Sequence, residues 1–141
     1  MSEKIPEDFR DLFDNPVYVT LATVMPDGQP QLSVVWASYD GEHVLVNTAR
    51  GRQKEKNMIA RPMATVLAVD PEDPYRRIEV RGTVEVTEEG GLDHINALAK
   101  AYRGVDKYFG GVQPAEREGK EIRVKCKITP TRVVAFKPKR G

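Results

Sequence analysis

Residues 47–62, NTARGRQKEKNMIARP, read as the end of a strand followed by a short helix over about 51–61 that Pro62 closes. The first turn of that helix is crowded with cations: Arg50, Arg52, Lys54 and Lys56 stand against the single acid Glu55. A helix N-terminus carries partial positive charge and favours carboxylates. A second helix, predicted over 87–103, obeys that rule: Thr87 is placed to cap it and Glu88 and Glu89 fall in its first turn. A local rule broken at one helix and kept at the next points to a functional site. A bound phosphate is the simplest compensation, because free backbone N–H groups, the dipole and nearby cations then act together. Gly51 lets the backbone approach closely, Thr48 offers a hydroxyl and Asn47 an amide. The competing reading is a solvated basic face that keeps the protein dispersed.

The neighbouring strand adds a second element. In QPQLSVVWAS, Gln31, Ser33, Val35 and Ala37 share one face, and Leu32, Val34 and Trp36 share the other. Small and polar groups beside a phosphate clamp would seat a flat heteroaromatic ring. The alternative is that this face is half-buried barrel wall.

Other chemistries find little support. No Walker loop or Gly-x-Gly-x-x-Gly occurs. His43 and His94 are the only histidines, and both read as surface or structural. Ser33 and Ser38 lack a nucleophile elbow. The one cysteine, Cys126, excludes an internal disulfide, and in IRVKCKI it reads as a buried strand thiol. With no catalytic residue nominated and no metal site, an enzyme of this composition would leave the reaction to a cofactor. A binder without turnover fits as well.

The elements that must position these groups are mostly strands. PEDFRDLFD at 6–14 predicts a short helix whose Phe9, Leu12 and Phe13 cover a core. Strands follow at about 16–25, 29–39 and 42–48, joined at PDG and DG, where glycine supplies the positive φ of a hairpin turn. MATVLAVD is a buried strand, YRRIEVRGTVEVT alternates with a bulge or bend at Gly82, and Leu92, Ile95, Leu98 and Ala99 stripe the second helix. A further helical turn is expected near 106–109, and EIRVKCKITPTRVVAF is one strand broken near Pro130, or two. This is a mainly β chain with flanking helices, about six antiparallel strands closing into a small barrel. Its 141 residues form one domain, 1–141, with 40% hydrophobic and 30% charged residues and a net charge of +1. Global charge names no partner. No apolar run approaches the roughly 18 residues that span a bilayer, and the N-terminus has no apolar signal core, so a cytoplasmic location without membrane association is expected.

VTLATVMPDGQPQLSVVWASYDGEHVLVNTARGRQKEKNMIARPMATVLAVD resembles the core of the FMN/F420-binding split β-barrel oxidoreductases, the pyridoxamine 5′-phosphate oxidase-like superfamily. The pattern LAT, DG-x-PQ-x-S-x-V, a strand, then R-x-K-x-x-N before Arg-Pro carries the likeness, which runs over about 15–87 and more loosely to the last strand. The match is nearest to the deazaflavin-dependent (coenzyme F420) branch, with FMN as the alternative cofactor. The resemblance implies a six-stranded antiparallel split barrel, a homodimer with a cofactor groove at the subunit interface, and hydride transfer from reduced cofactor to an unsaturated or electrophilic small molecule. Arg52 and Lys54 would hold the cofactor phosphate with help from Thr48 and the helix N-terminus. Asn57 would brace the helix, and Gln31, Ser33, Val35 and Trp36 would lie along the ring. Tyr75, Arg76, Tyr102 and the basic tail KPKRG are candidates for covering the groove from the second subunit. The chain ends AFKPKRG without a histidine, unlike the true pyridoxamine phosphate oxidases, so oxidation of pyridoxamine phosphate is not expected. A remote rival is a single-stranded nucleic-acid-binding barrel, but Tyr18, Trp36 and Tyr39 look scattered rather than aligned for base stacking.

Overall fold

A computed structural model describes residues 2–139. A 3₁₀ turn at Glu7–Phe9 and the helix α1 (Asp11–Asp14) precede β1 (Val19–Val24), β2 (Pro30–Val35), β3 (Ala37–Tyr39) and β4 (Val44–Ala49). Then come α2 (Gln53–Ala60), β5 (Met63–Asp70), β6 (Asp73–Thr87), α3 (Gly91–Arg103) and β7 (Arg123–Phe136). The strands form one antiparallel sheet in the order β2-β1-β5-β6-β7-β4-β3.

The count is seven strands, not the six expected, and the reason lies at Trp36. The stretch read as one strand over 29–39 breaks there into β2 and β3. β2 pairs with β1 at one end of the sheet, and β3 pairs with β4 at the other. Because a single residue joins the two ends, the sheet must curl until its edges meet, as a half-barrel. The Tyr102 hydroxyl from α3 fastens this junction: it accepts from the Ala37 N–H at 3.0 Å and lies 2.7 Å from the Val17 carbonyl.

Alternation explains the interior. Val19 and Leu21, Val44 and Val46, Val66 and Ala68, Ile78 and Val80, and Val124, Cys126 and Ile128 point inward from successive strands. Phe9, Leu12 and Phe13 close one end as expected, and Met58 enters from α2. Burial pushes the Cys126 thiol up to about 12, as befits an inert core cysteine. Both hairpins close at the glycine turns expected, with Gly28 and Gly41 at positive φ. The last strand is continuous. Its pairing with β6 slips at Arg81/Gly82, where Thr131 is left over beside Pro130, which has no N–H to give. Gly82 is needed there because a Cβ would run into the Thr129 carbonyl and lie 2.9 Å from Ile128 Cγ2.

Three local expectations are corrected. α3 begins at Gly91, so Thr87, Glu88 and Glu89 lie ahead of it and Gly90, in the left-handed region, is its N-cap. Leu92 is largely exposed, and only Ile95, Leu98 and Ala99 of the expected stripe are buried. Residues 106–109 form no helix. Val112 and Gln113 donate back to the Tyr108 carbonyl in a tight loop, and the extra 3₁₀ turn falls at Ala115–Arg117.

Candidate functional site

The orphan cations are only partly orphaned. Glu55 sits in the third helical position of α2 and folds back to accept the Gly51 N–H at 2.9 Å. The same carboxylate takes Arg50 at 2.9 Å, and Arg50 also reaches Glu88 at 3.1 Å. Arg50 is therefore compensated within the chain, by the acid beside it and by one that looked like a helix opener. The Arg52 guanidinium lies 3.6 Å from Glu121. Lys54 differs: among the described residues no carboxylate reaches its ammonium. Its pKa is lowered by burial first, then by the charges of Arg52 and Arg123. A half-buried cation between two others is costly unless an anion joins them.

Lys54 and Arg52 border a groove of ≈ 230 Å³. Its cationic end is completed by Arg123 from the start of β7. Its other walls are Tyr18, Val34, Val35 and Trp36, with Ile95 and Leu98 of α3 and Tyr108 and Val112 of the loop after it. Trp36 stacks on Tyr102 with ring centres 5.3 Å apart, Tyr108 meets it edge-on at 6.3 Å, and Tyr18 abuts Tyr102 at 5.6 Å. Tyr18 and Trp36, scattered in the sequence, thus converge, though they stack within the protein rather than in a row for bases. The groove thus brings aromatic and aliphatic walls together with three cations.

Five of the nine residues nominated from sequence line this groove: Val35, Trp36, Asn47, Arg52 and Lys54. Gln31, Ser33, Thr48 and Asn57 do not. Gln31 accepts from the Thr23 hydroxyl at 2.8 Å, and the Ser33 and Thr48 hydroxyls are buried without a partner among the described residues. Asn57 is fully buried and ties α2 down: it donates to Thr23 at 3.0 Å and Met25 at 3.4 Å, and accepts from Gln53 and Arg61. Asn47 has its amide engaged, with Nδ2 donating to the Gly91 carbonyl at 2.9 Å and to His94 Nδ1 at 3.1 Å. His94 is held neutral, its pKa lowered to about 4 by burial and then by Lys125 and Arg123. Of the groove-covering candidates, Arg76 is bound to Asp11 and Asp70, and Tyr102 is engaged at the β2–β3 junction. Tyr75 is exposed, and the last two residues of the tail lie outside the described residues.

Arg123 and Tyr108 went unnominated. Ala49 pairs with Arg123 across β4 and β7, which brings residues more than 70 apart in the chain to one end of the sheet. In EIRVKC the arginine looks like an ordinary outward charge in an alternating strand. No signal in the sequence marked it, because only the β4–β7 pairing places it opposite the strand end that leads into the cationic turn.

Against this geometry, a family model described as pyridoxamine 5′-phosphate oxidase matches residues 5–138. The chain belongs to that family. A protein described as an F420 reductase is 32% identical over 92% of this chain and 98% of its own, with a TM-score of 0.78. A conserved hypothetical protein of Mycobacterium tuberculosis is 26% identical over 97% and 91%, with a TM-score of 0.73. General Stress Protein 26 of Bacillus anthracis, at 20% identity over 94% of each chain and a TM-score of 0.67, shares the fold. The family is one of flavin-binding oxidoreductases with the split-barrel architecture. Among the described residues no helix is long and apolar enough to cross a membrane, and no group of three His, Cys, Asp or Glu could hold a metal ion.

Proposed function

We propose that this protein is a cytoplasmic oxidoreductase that uses coenzyme F420 to transfer a hydride to an unsaturated or electrophilic small molecule. One observation carries the reading: a single groove joins aromatic and aliphatic walls to a cluster of three cations in which Lys54 has no acidic partner among the described residues. Arg52 and Lys54 would hold the phosphoryl group, and Trp36 and Val35 would border the ring. When bound, the reduced deazaflavin supplies the hydride from its C5 position. The chain's own tasks are to orient the two rings and shield the transfer from bulk water, and the proton that completes the reduction would come from solvent or a tyrosine. The likeness to an F420 reductase favours the deazaflavin over FMN, although the phosphate end of the groove suits both.

The working unit is a homodimer. Val34, Thr20, Leu67, Glu79 and Val134 lie in one paired row across the outer face of the sheet, with Leu32 in the adjoining row beside Ala22. Leu32 and Val34 are 63% and 68% exposed, an apolar surface that a second copy would cover. Val34 also lines the groove, so a partner on this face would border the bound cofactor.

Titration with coenzyme F420 and with FMN tests the assignment. Quenching of deazaflavin fluorescence with saturable binding, and weaker binding of FMN, is the expected result. Purification with a bound chromophore absorbing at about 450 nm, where flavins absorb, would point to FMN. Binding of oligonucleotides and of neither cofactor would sink the oxidoreductase reading. Sedimentation should give a dimer, converted to monomer by Leu67→Asp.

A further inference from the structure

Arg123 lies outside the helix-opening motif that announces the site, yet its geometry is that of a ligand-binding group. We propose that Arg123 binds the anionic group of the ligand directly, and that Asn47 is the positioning residue that aims it. The proposal rests on the reading that the groove takes a phosphorylated ring.

Arg123 has a side chain only 5% exposed. Its Nε donates to Asn47 Oδ1 at 2.9 Å and its Nη1 to Glu121 at 2.5 Å, and its guanidinium lies 4.8 Å over the Tyr108 ring. Two anchored nitrogens and a stacked face fix the plane of a rigid fork. The remaining nitrogen, Nη2, has no protein acceptor among the described residues, and the side chain lines the groove. Nη2 is not among the buried atoms that lack a partner, so it opens to the groove while the rest of the guanidinium is held by protein. A guanidinium left with an open nitrogen at a cleft is set for an acceptor from outside, and phosphoryl oxygens match it in charge and geometry.

The charge balance agrees. Arg52, Arg117 and Arg123 all converge on the one carboxylate of Glu121, and Lys54 has none. Glu121 cannot neutralise them all, so the groove holds a surplus of positive charge that an anion of more than one charge would relieve.

Asn47 acts through Arg123 rather than on the ligand. Both amide protons are engaged, on Gly91 and His94, so only its oxygen is available, and Arg123 holds that oxygen. His94 accepts from Asn47 only while Nδ1 is unprotonated. Its proton is therefore placed on Nε2, toward Ser38 Oγ at 3.3 Å. Ser38, His94, Asn47 and Arg123 form a chain of hydrogen bonds from β3 to the groove, each fixing the next.

The test compares fluorescence titrations with coenzyme F420 and with the same deazaflavin chromophore lacking its phosphate tail, alongside the Tm shift from added inorganic phosphate. Arg123→Gln should weaken binding of the phosphorylated ligand about 10- to 100-fold, the range of a lost charge-assisted hydrogen bond, and leave the phosphate-free chromophore unchanged. Asn47→Ala should lose roughly 3- to 10-fold in the same selective way, since the guanidinium remains but is no longer aimed. A purely structural role would weaken both ligands together. If Arg123→Gln does not fold, Arg123→Lys serves: its ammonium cannot reach Asn47 and the ligand at once, so part of the discrimination should still be lost. Unchanged discrimination in the arginine variant overturns the proposal and spares the cofactor assignment. Unchanged discrimination in Asn47→Ala overturns the positioning role. If the wild type binds neither chromophore while phosphate raises its Tm and not that of Arg123→Gln, the proposal stands and the cofactor assignment fails. No effect of phosphate and no binding overturn both.

Discussion

Replacing Lys54 with alanine should move binding and stability in different directions. The ammonium is half-buried, is unpaired by any carboxylate among the described residues, and carries a pKa lowered by burial and by the charges of Arg52 and Arg123. Removing it breaks no ion pair or hydrogen bond among the described residues and relieves repulsion, which offsets the packing lost with its stem, so the free protein should keep its Tm or gain slightly. The phosphorylated ligand loses a charge-assisted hydrogen bond, worth ~1.5–3 kcal/mol, or roughly 10- to 150-fold in Kd. Partial exposure places the result toward the lower end. The pH dependence carries the same opposition. Between the lowered folded value and the ordinary lysine value, the unfolded chain binds more protons than the folded one. The contribution of Lys54 to stability therefore rises with pH across that window. Affinity for an anion falls across it, because the cation is being lost, and binding draws a proton back onto the amine. Titrations and thermal melts of wild type and Lys54→Ala at neutral pH and at pH about 9.5, just below the ordinary lysine value, measure both. Equal affinities, or a free variant that melts well below wild type, would refute the reasoning.

Other outcomes follow from groups described above. His94, with its pKa lowered to about 4, makes the unfolded chain the better proton binder between about 4 and 6.5. Stability should fall as pH drops through that window, by ~3 kcal/mol at ~1.4 kcal/mol per unit, and His94→Gln should flatten the profile measured by urea unfolding. Gly82→Ala should destabilise by about 1–3 kcal/mol, because the added methyl meets backbone at Thr129 rather than a yielding side chain. Asn57→Ala should lower stability by ~1–3 kcal/mol, since it empties a fully buried site and takes a donor from the buried Thr23 hydroxyl, with further bonds lost to Gln53 and the half-buried Arg61. That loss should appear without ligand, which separates it from the selective binding defect of Lys54→Ala.

Local chemistry was legible in the sequence, and long-range chemistry was not. The two glycine turns, the alternation of β6 and of β7 around Cys126, and the Gly82 irregularity could be read because each is fixed by neighbours in the chain, whereas β5, read as a buried strand, buries one face only and leaves Met63 and Leu67 exposed. The cationic turn was legible for the same reason, yet its meaning changed once Glu55 proved to serve Gly51 and Arg50. The helix-opening contrast failed because Gly90 can adopt a left-handed cap, and this moved Glu88 onto Arg50. Arg123 and Tyr108 reach the groove only through the pairing of β4 with β7 and the loop after α3. No periodicity within those segments marks them as more than a charged strand and a polar loop. The break at Trp36 was hidden because both halves have strand composition, and only the curl of the sheet separates them.

That break has a further consequence. Where β2 and β3 part, the ladder of backbone hydrogen bonds is interrupted, and the groove opens beside the interruption. A molecule seated there would meet the end of β2 and Trp36 at the break, together with Asn47 of β4, α2, α3 and β7. It would act as a second rivet beside the Tyr102 hydroxyl, joining β2 at one edge of the sheet to β4 and β7 near the other.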